Sequence, residues 1–387
     1  MHETTRLLRD LVSRPSVNPM GRALSGPDLY EHQVTAYLEA YFRLLGVPSR
    51  RQSIAPRRDN IIAVCETPEP SWTLILEAHQ DTVPTDNMTI EPFGARVEGN
   101  RLYGRGACDI KGGMAAMLAA FARVVQDKPR GAARVVVACT VGEEHTFLGV
   151  QQLPKLDLRG GHDHPVAAVV AEPTDLNIVN CHKGAVRWDL TTLGRSCHSS
   201  RPEQGVNAIY HMAELLPIIQ RYADELRASR VDARLGPATL SVGRVEGGVS
   251  VNTVPDRCRI EIDRRLLPGE QAGAAREEFL NYVRERAPKH VQFECAEPWL
   301  CLPALGSELS GDFTAKLGAV IDSVKGSHEV HAVPYGTDAP VLAEAGIPTV
   351  IFGPGDIRKA HTCDEWVPLD EVEQASEILY RLACTKA

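Results

Sequence analysis

His79-Gln80-Asp81 lies just past the apolar run Thr73–Leu76. A histidine with a carboxylate two residues on suits a metal ligand and the group that orients its ring. H-x-D also recurs by chance, so taken singly it reads more readily as a structural pair. Asp109 lies in Gly104-Arg105-Gly106-Ala107-Cys108-Asp109-Ile110-Lys111-Gly112-Gly113. The third glycine of the dinucleotide fingerprint and the G-x-x-x-x-G-K-[ST] spacing of a phosphate loop are both missing. A carboxylate at a helix start repels phosphate and attracts a cation, although it could also serve as a plain helix cap. Glu143-Glu144 stands just past the run Arg134–Cys139, Glu172 closes Val166–Ala171, and His361 follows Thr349–Phe352 through Gly353-Pro354-Gly355.

Each of these positions falls after a candidate strand or at a loop-to-helix junction. In an open α/β sheet, ligands bind beyond the carboxyl ends of the strands. All five positions can therefore meet at one sheet edge. With Asp109, Glu144 and Glu172 as ligands, the carboxylates sum to −3 against +4 for two divalent ions, the remainder falling to a bridging hydroxide. Without metal the same carboxylates would repel one another. A set of His and carboxylate ligands with no Cys suits Zn²⁺ and accommodates Co²⁺ or Mn²⁺.

The elements that must position these residues are short Val- and Ile-rich runs alternating with helices. Ile61–Val64, Thr73–Leu76, Arg134–Cys139, Val166–Val170 and Thr349–Phe352 read as buried strands. Helical spacing is visible over 3–13, about 30–45 and 113–126, the last with Met114, Met117, Leu118, Phe121 and Val125 on one side. Strand–helix alternation predicts an α/β domain with a mostly parallel sheet and helices on both faces. The middle differs: a strand at Val186–Leu193, a helix to Ser229, strands Ala238–Val245 and Arg257–Arg265, a helix at Gln271–Arg286 and a strand at His290–Cys295. That β-α-β-β-α-β order is ferredoxin-like α+β. The expected organisation is a discontinuous catalytic domain, 1–183 and 298–387, interrupted by an inserted domain at 184–297.

The chain has 387 residues, 43% hydrophobic and 24% charged, ordinary for a soluble globular protein. Its net charge of −8 gives no electrostatic footprint for nucleic acid or anionic membrane. No run approaches the roughly 18 apolar residues of a membrane span, and Met1-His2-Glu3-Thr4 opens no signal peptide. The 10 cysteines form no C-x-x-C pair and read as reduced thiols. A cytoplasmic protein is expected.

Blocks spread over most of the chain, in order, carry a resemblance. They are HQDTVP (79–84), LYGRGACDIKGG (102–113), GEE (142–144), AEPT (171–174), HKG (182–184), HSSRPEQGVNAI (198–209), GGVSVNTVPD (247–256), DRRLLPG (263–269) and GTDAPVLAEAGIPTVIFGPG…AH (336–361). They resemble the acetylornithine deacetylases, succinyl-diaminopimelate desuccinylases, aminoacylases and glutamate carboxypeptidases, co-catalytic zinc hydrolases of amide bonds. The resemblance implies that Asp109 bridges two ions, that His79 and Glu172 complete one site, and that Glu144 and His361 complete the other. It implies that Asp81 orients His79 and that Glu143 is the general base. In the inserted domain it implies that His198 helps stabilise the oxyanion from a partner subunit, that Asn252 binds substrate and that Arg265 holds a substrate carboxylate. A homodimer through the inserted domain follows from the same likeness. HKG and HSS…GVNAI are closest to the acetylornithine deacetylase branch, since the arginine-rich stretch usual in the desuccinylases is missing. The expected activity is deacylation of a small N-acyl amino acid. The alternatives are a dipeptidase or carboxypeptidase of the same family acting on short peptides, and a catalytically silent binding or assembly subunit. A serine or cysteine hydrolase is disfavoured, because no G-x-S-x-G exists and Cys197-His198 are chain neighbours.

Overall fold

Four apolar runs form the parallel centre of an eight-stranded sheet, in the spatial order Arg134–Thr140, Thr73–His79, Val166–Val170, Thr349–Ile351. The computed structural model describes residues 2–386; Met1 and Ala387, the ends of the expected catalytic segments, lie outside the described residues. Every residue of the first three of these strands is buried, which is why they lack polar alternation. Leu74, Leu76, Val135, Val137, Ala167 and Val169 share one core with the helices Glu3–Val12, His32–Leu44, Gly112–Asp127, Gly311–Lys325 and Leu369–Cys384. Their alternates Ile75, Val136, Ala168 and Val170 are buried too. Arg58–Cys65 and then Ser49–Ala55 extend the sheet antiparallel on one side, and Ile178–His182 and Val330–Val333 lie at the other.

Register brings the strand ends to one level. His79 lies opposite Thr140 and Glu77 opposite Val170, so neighbouring strands stop together. The chain segments leaving those ends carry Asp81, Glu143-Glu144 and Glu172. Asp109 is delivered by the helix Gly112–Asp127, whose start approaches the same edge. A Cβ on Gly113 would lie 2.9 Å from the Ala171 Cβ, so glycine permits that approach. A small sheet of Arg96–Glu98, Arg101–Tyr103 and Trp366–Pro368 brings residues 104–109 beside the segment 361–365.

The chain divides into two compact units, one holding residues up to Asn180, Ser307–His331 and Thr337 onward, the other Cys181–Gly306 and Ala332–Gly336. The second unit is an antiparallel sheet in the order Thr239–Gly247, Arg257–Leu266, Gly184–Leu193, Gln292–Cys295, with the helices Ala208–Ser229 and Ala272–Arg286 packed in its core. Alternating burial along Arg257–Leu266 marks a sheet covered on one face. Strand and helix order match the ferredoxin-like expectation. The second unit runs past the expected limit at 297, because Leu300–Leu302 also pairs with Gly184–Leu193. All ten cysteines are free thiols.

Candidate metal centre

The first unit brings His79, Asp109, Glu144, Glu172 and His361 into two donor triads that share Asp109. His79, Asp109 and Glu172 form one, and Asp109, Glu144 and His361 the other, with the donor atoms of each triad within 4.8 Å of one another. His79 Nε2 lies 3.1 Å from Asp109 Oδ1 and 4.0 Å from Glu172 Oε1. His361 Nε2 lies 3.3 Å from Asp109 Oδ2 and 3.2 Å from Glu144 Oε2. A plain helix cap does not describe Asp109. Asp109 sits in an irregular turn, Ala107–Lys111, ahead of the helix, and its carboxylate faces the two imidazoles. Glu143 is buried and the Glu144 side chain is only 5% exposed.

Asp81 meets His79 mainly through its main chain. The ring N–H at Nδ1 of His79 donates to the main-chain carbonyl of Asp81 at 3.0 Å, while the Asp81 carboxylate is 3.6 Å away. That bond leaves Nε2 turned toward the cluster. The carboxylate itself accepts from the Gly142, Glu143 and Glu144 N–H groups at 2.9, 3.2 and 3.3 Å, and from Asn18 Nδ2 at 2.8 Å. It therefore anchors the turn that presents Glu143 and Glu144. Behind it stands Arg58, fixed by the buried Glu31. A further bond runs from the Val83 N–H to Glu144 Oε1 at 3.1 Å.

The electrostatics test whether cations fit. Burial, and then repulsion by Asp109, raise Glu172 well above the carboxylate range and Glu144 to about 7. Burial likewise raises Glu143 well above its ordinary value. Burial alone would depress His361, but Asp109 and Glu144 lift it to about 11. His79 is likewise held well above its usual value, burial being outweighed by Asp109, Asp81 and Glu143. Protons thus balance a cluster of buried carboxylates that divalent cations could balance instead. Imidazole nitrogen and carboxylate oxygen are suitable donors for such ions. Cys108, next to Asp109, turns its thiol to the Asp356 carbonyl at 3.4 Å and adds no sulfur. A cleft of about 340 Å³ lined by Met20, Val83, Pro84, Asn87 and His361 opens beside the second triad.

His198, Asn252 and Arg265 belong to the second unit. Residues 198 and 252 are neighbours there, since Ser199 N–H donates to the Asn252 carbonyl at 3.0 Å and His198 bridges Thr253. Ser200 N–H donates to His198 Nδ1 at 3.1 Å, which fixes that nitrogen as an acceptor and puts the ring hydrogen on Nε2. Arg265 does not join them; it pairs with Asp263 at 2.7 Å on its own strand. Sequence reasoning missed the supporting residues Asn18, Arg58, Asn87, Arg105 and Glu365. Arg105 stands between two glycines of the LYGRGACDIKGG block and Glu365 four residues after His361, but their pairing across 260 positions leaves no local pattern.

The profile of peptidase family M20/M25/M40 matches residues 75–385. An acetylornithine deacetylase of Salmonella typhimurium is 29% identical over 380 residues, 96% of this chain and 95% of that protein. Among solved structures, an M20 family metallo-carboxypeptidase from Sulfolobus solfataricus aligns with a TM-score of 0.79 at 19% identity, covering 99% of each chain. A dinuclear metal-binding M20 peptidase from Bacillus subtilis aligns at 0.69 and 18% identity, covering 98% of this chain and 96% of that one. These structural likenesses bear on the fold. No helix among the described residues is long and apolar enough to cross a membrane.

Proposed function

Because the chain belongs to peptidase family M20/M25/M40, and so is a metal-dependent hydrolase of amide bonds in small acyl amino acids or peptides, we propose that it removes the acyl group from an N-acetylated amino acid. The end-to-end similarity to acetylornithine deacetylase carries this choice of substrate. Two zinc ions are proposed, one on His79, Asp109 and Glu172 and one on Asp109, Glu144 and His361, with Co²⁺ or Mn²⁺ able to replace them. When bound, such ions polarise the scissile carbonyl and lower the pKa of the attacking water.

The chain's own residues do the rest. Glu143, buried and held by its N–H on Asp81, is the base. It takes a proton from water as the C–O bond forms, then gives it to the amine nitrogen as the C–N bond breaks. Burial pushes its pKa upward, the direction that suits a carboxylate accepting a proton near neutral pH. His198, with its hydrogen on Nε2, is proposed as a donor to the oxyanion, supplied across a homodimer formed by the second unit. Asn252 and Arg265 are proposed to bind substrate, Arg265 through the substrate carboxylate. Sedimentation of the purified protein as a monomer would remove the cross-subunit role. A cytoplasmic location is proposed as well, and fractionation of cells into cytoplasm and envelope tests it.

The deciding experiment is a panel of N-acetyl and N-succinyl amino acids and dipeptides, assayed with added Zn²⁺ or Co²⁺. Preference for N-acetyl substrates supports the proposal. Turnover confined to dipeptides would make the protein an exopeptidase, and no turnover with any substrate would leave a silent binding subunit.

A further inference from the structure

We propose that Glu365, Arg105 and Asn87 form a positioning chain that sets how tightly the Asp109–Glu144–His361 triad holds its ion. This rests on reading the cluster as a metal centre. The chain begins at Glu365, fully buried, whose Oε1 accepts from the Cys108 and Asp109 N–H groups at 2.9 and 3.1 Å. Its Oε2 accepts from Arg105 Nη1 at 2.6 Å, and Arg105 is itself 1% exposed. Arg105 Nη2 donates onward to Asn87 Oδ1 at 2.9 Å, and Asn87 Nδ2 donates to the His361 carbonyl at 3.0 Å. One continuous path of hydrogen bonds therefore joins the main chain at Asp109 to the main chain at His361, two ligands of a single site.

The two triads need such help unequally. His79 ends a central strand in register with Thr140, and Glu172 stands two residues past the end of another, so the sheet fixes their backbones. His361 lies ten residues beyond Ile351, in a loop, with φ at +59° and a side chain 51% exposed. A non-glycine residue persists in that conformation only where its surroundings hold it. Among those surroundings the Asn87 carboxamide grips the His361 carbonyl. A buried ion pair such as Arg105–Glu365 adds little net stability over apolar packing, so its value here is geometric. Groups that orient ligands without touching the ion change affinity by about 10- to 100-fold when removed.

The test is Co²⁺ and Zn²⁺ binding by the metal-stripped full chain, titrated against a competing chelator. Asn87→Ala is the primary variant, since Asn87 is exposed and belongs to neither donor triad. Its expected result is two ions per chain as in the parent, one with Kd raised about 10- to 100-fold and the other changed less than about two-fold. Glu365→Gln, which loosens the shared Asp109, should weaken both ions; if it fails to fold, Asn87→Ala decides alone. Two unchanged affinities in Asn87→Ala, or equal weakening of both, would overturn the positioning chain while leaving the metal centre standing. A parent chain that binds no ion would overturn both.

Discussion

Changing Asp81 to asparagine turns one acceptor oxygen into a donor at a place where the close neighbours are donors. One oxygen can still serve the Gly142 and Glu143 N–H groups, but the new NH₂ meets the Glu144 N–H and Asn18 Nδ2. Asn18 cannot turn its amide to help without giving up the bond from the Met20 N–H to its own oxygen. Two bonds to a charged acceptor are lost, each worth about 1.5–3 kcal/mol, so about 3–6 kcal/mol is at stake. A second route gives less. Burial opposes the charge, yet His79, Arg58 and Asn18 hold Asp81 down to about 2 from an ordinary 3.8. That corresponds to about 2 kcal/mol, net of the desolvation that the bond count ignores. We therefore expect a loss of about 2–5 kcal/mol by denaturant unfolding of the metal-stripped chain, in which His79 is charged. Because the folded pKa is depressed, this stability is present above pH 3.8 and is lost as pH falls through about 2. The gap between parent and Asp81→Asn should accordingly narrow in acid. Turnover should fall about 100-fold, because the turn bearing Glu143 is loosened. Metal content should stay at the parental level, since the bond orienting His79 goes to a main-chain carbonyl that the substitution retains. Elemental analysis beside steady-state kinetics reads both. A variant that sheds metal yet keeps the parental kcat per loaded site would return the Asp81 carboxylate to the imidazole and refute this reasoning.

Glu143→Gln should keep its metal and lose about 100- to 10,000-fold in kcat, as removal of a general base does; near-parental kcat would assign the proton to another group. Metal uptake at pH 7 should release protons. The His361 imidazole, raised to about 11 against burial by Asp109 and Glu144, is protonated there and must deprotonate to bind, so affinity should fall as pH falls. Calorimetry in buffers of differing ionisation enthalpy measures the release, and identical heats in all of them would contradict it. His198→Ala should reduce kcat about 100-fold with little change in metal content, the cost of one oxyanion donor; a kcat within about two-fold of the parent would leave His198 as a turn residue.

The chemistry-bearing residues are legible in the sequence for a physical reason. The candidate ligands here are His and carboxylate, and an α/β sheet exposes such residues where a buried strand ends. Thr73–Leu76 and Val166–Val170 announce themselves by unbroken apolarity, and His79 and Glu172 stand where those runs stop. Elements of three or four residues seldom leave such a trace, Thr349–Ile351 being an exception. Leu300–Leu302 has too few positions to show a period, so the inserted unit reads as ending at 297 although the sheet continues to 302. Ile178–His182 escapes detection because Asn180 and His182 interrupt its apolarity, yet both are buried. The helices Gly311–Lys325 and Leu369–Cys384 merge, in sequence, into a general α/β texture without bounds.

Support for the ligands is illegible by nature. Any donor can satisfy a carboxylate, so Asp81 anchoring three successive N–H groups at 142–144 looks, in sequence, the same as Asp81 reaching a neighbouring imidazole. The Arg105–Glu365 pair is set by the register between Arg101–Tyr103 and Trp366–Pro368, two three-residue strands more than 260 positions apart. His361 shows the limit most clearly. It follows a loop rather than a strand end, and its imidazole identifies it as a ligand while nothing adjacent says what holds its backbone. Support assembled across such separations is visible only once the chain is folded. For the second triad, the bond from Asn87 to His361 spans 274 positions and that from Asp109 to Glu365 spans 256, and neither separation leaves a local pattern.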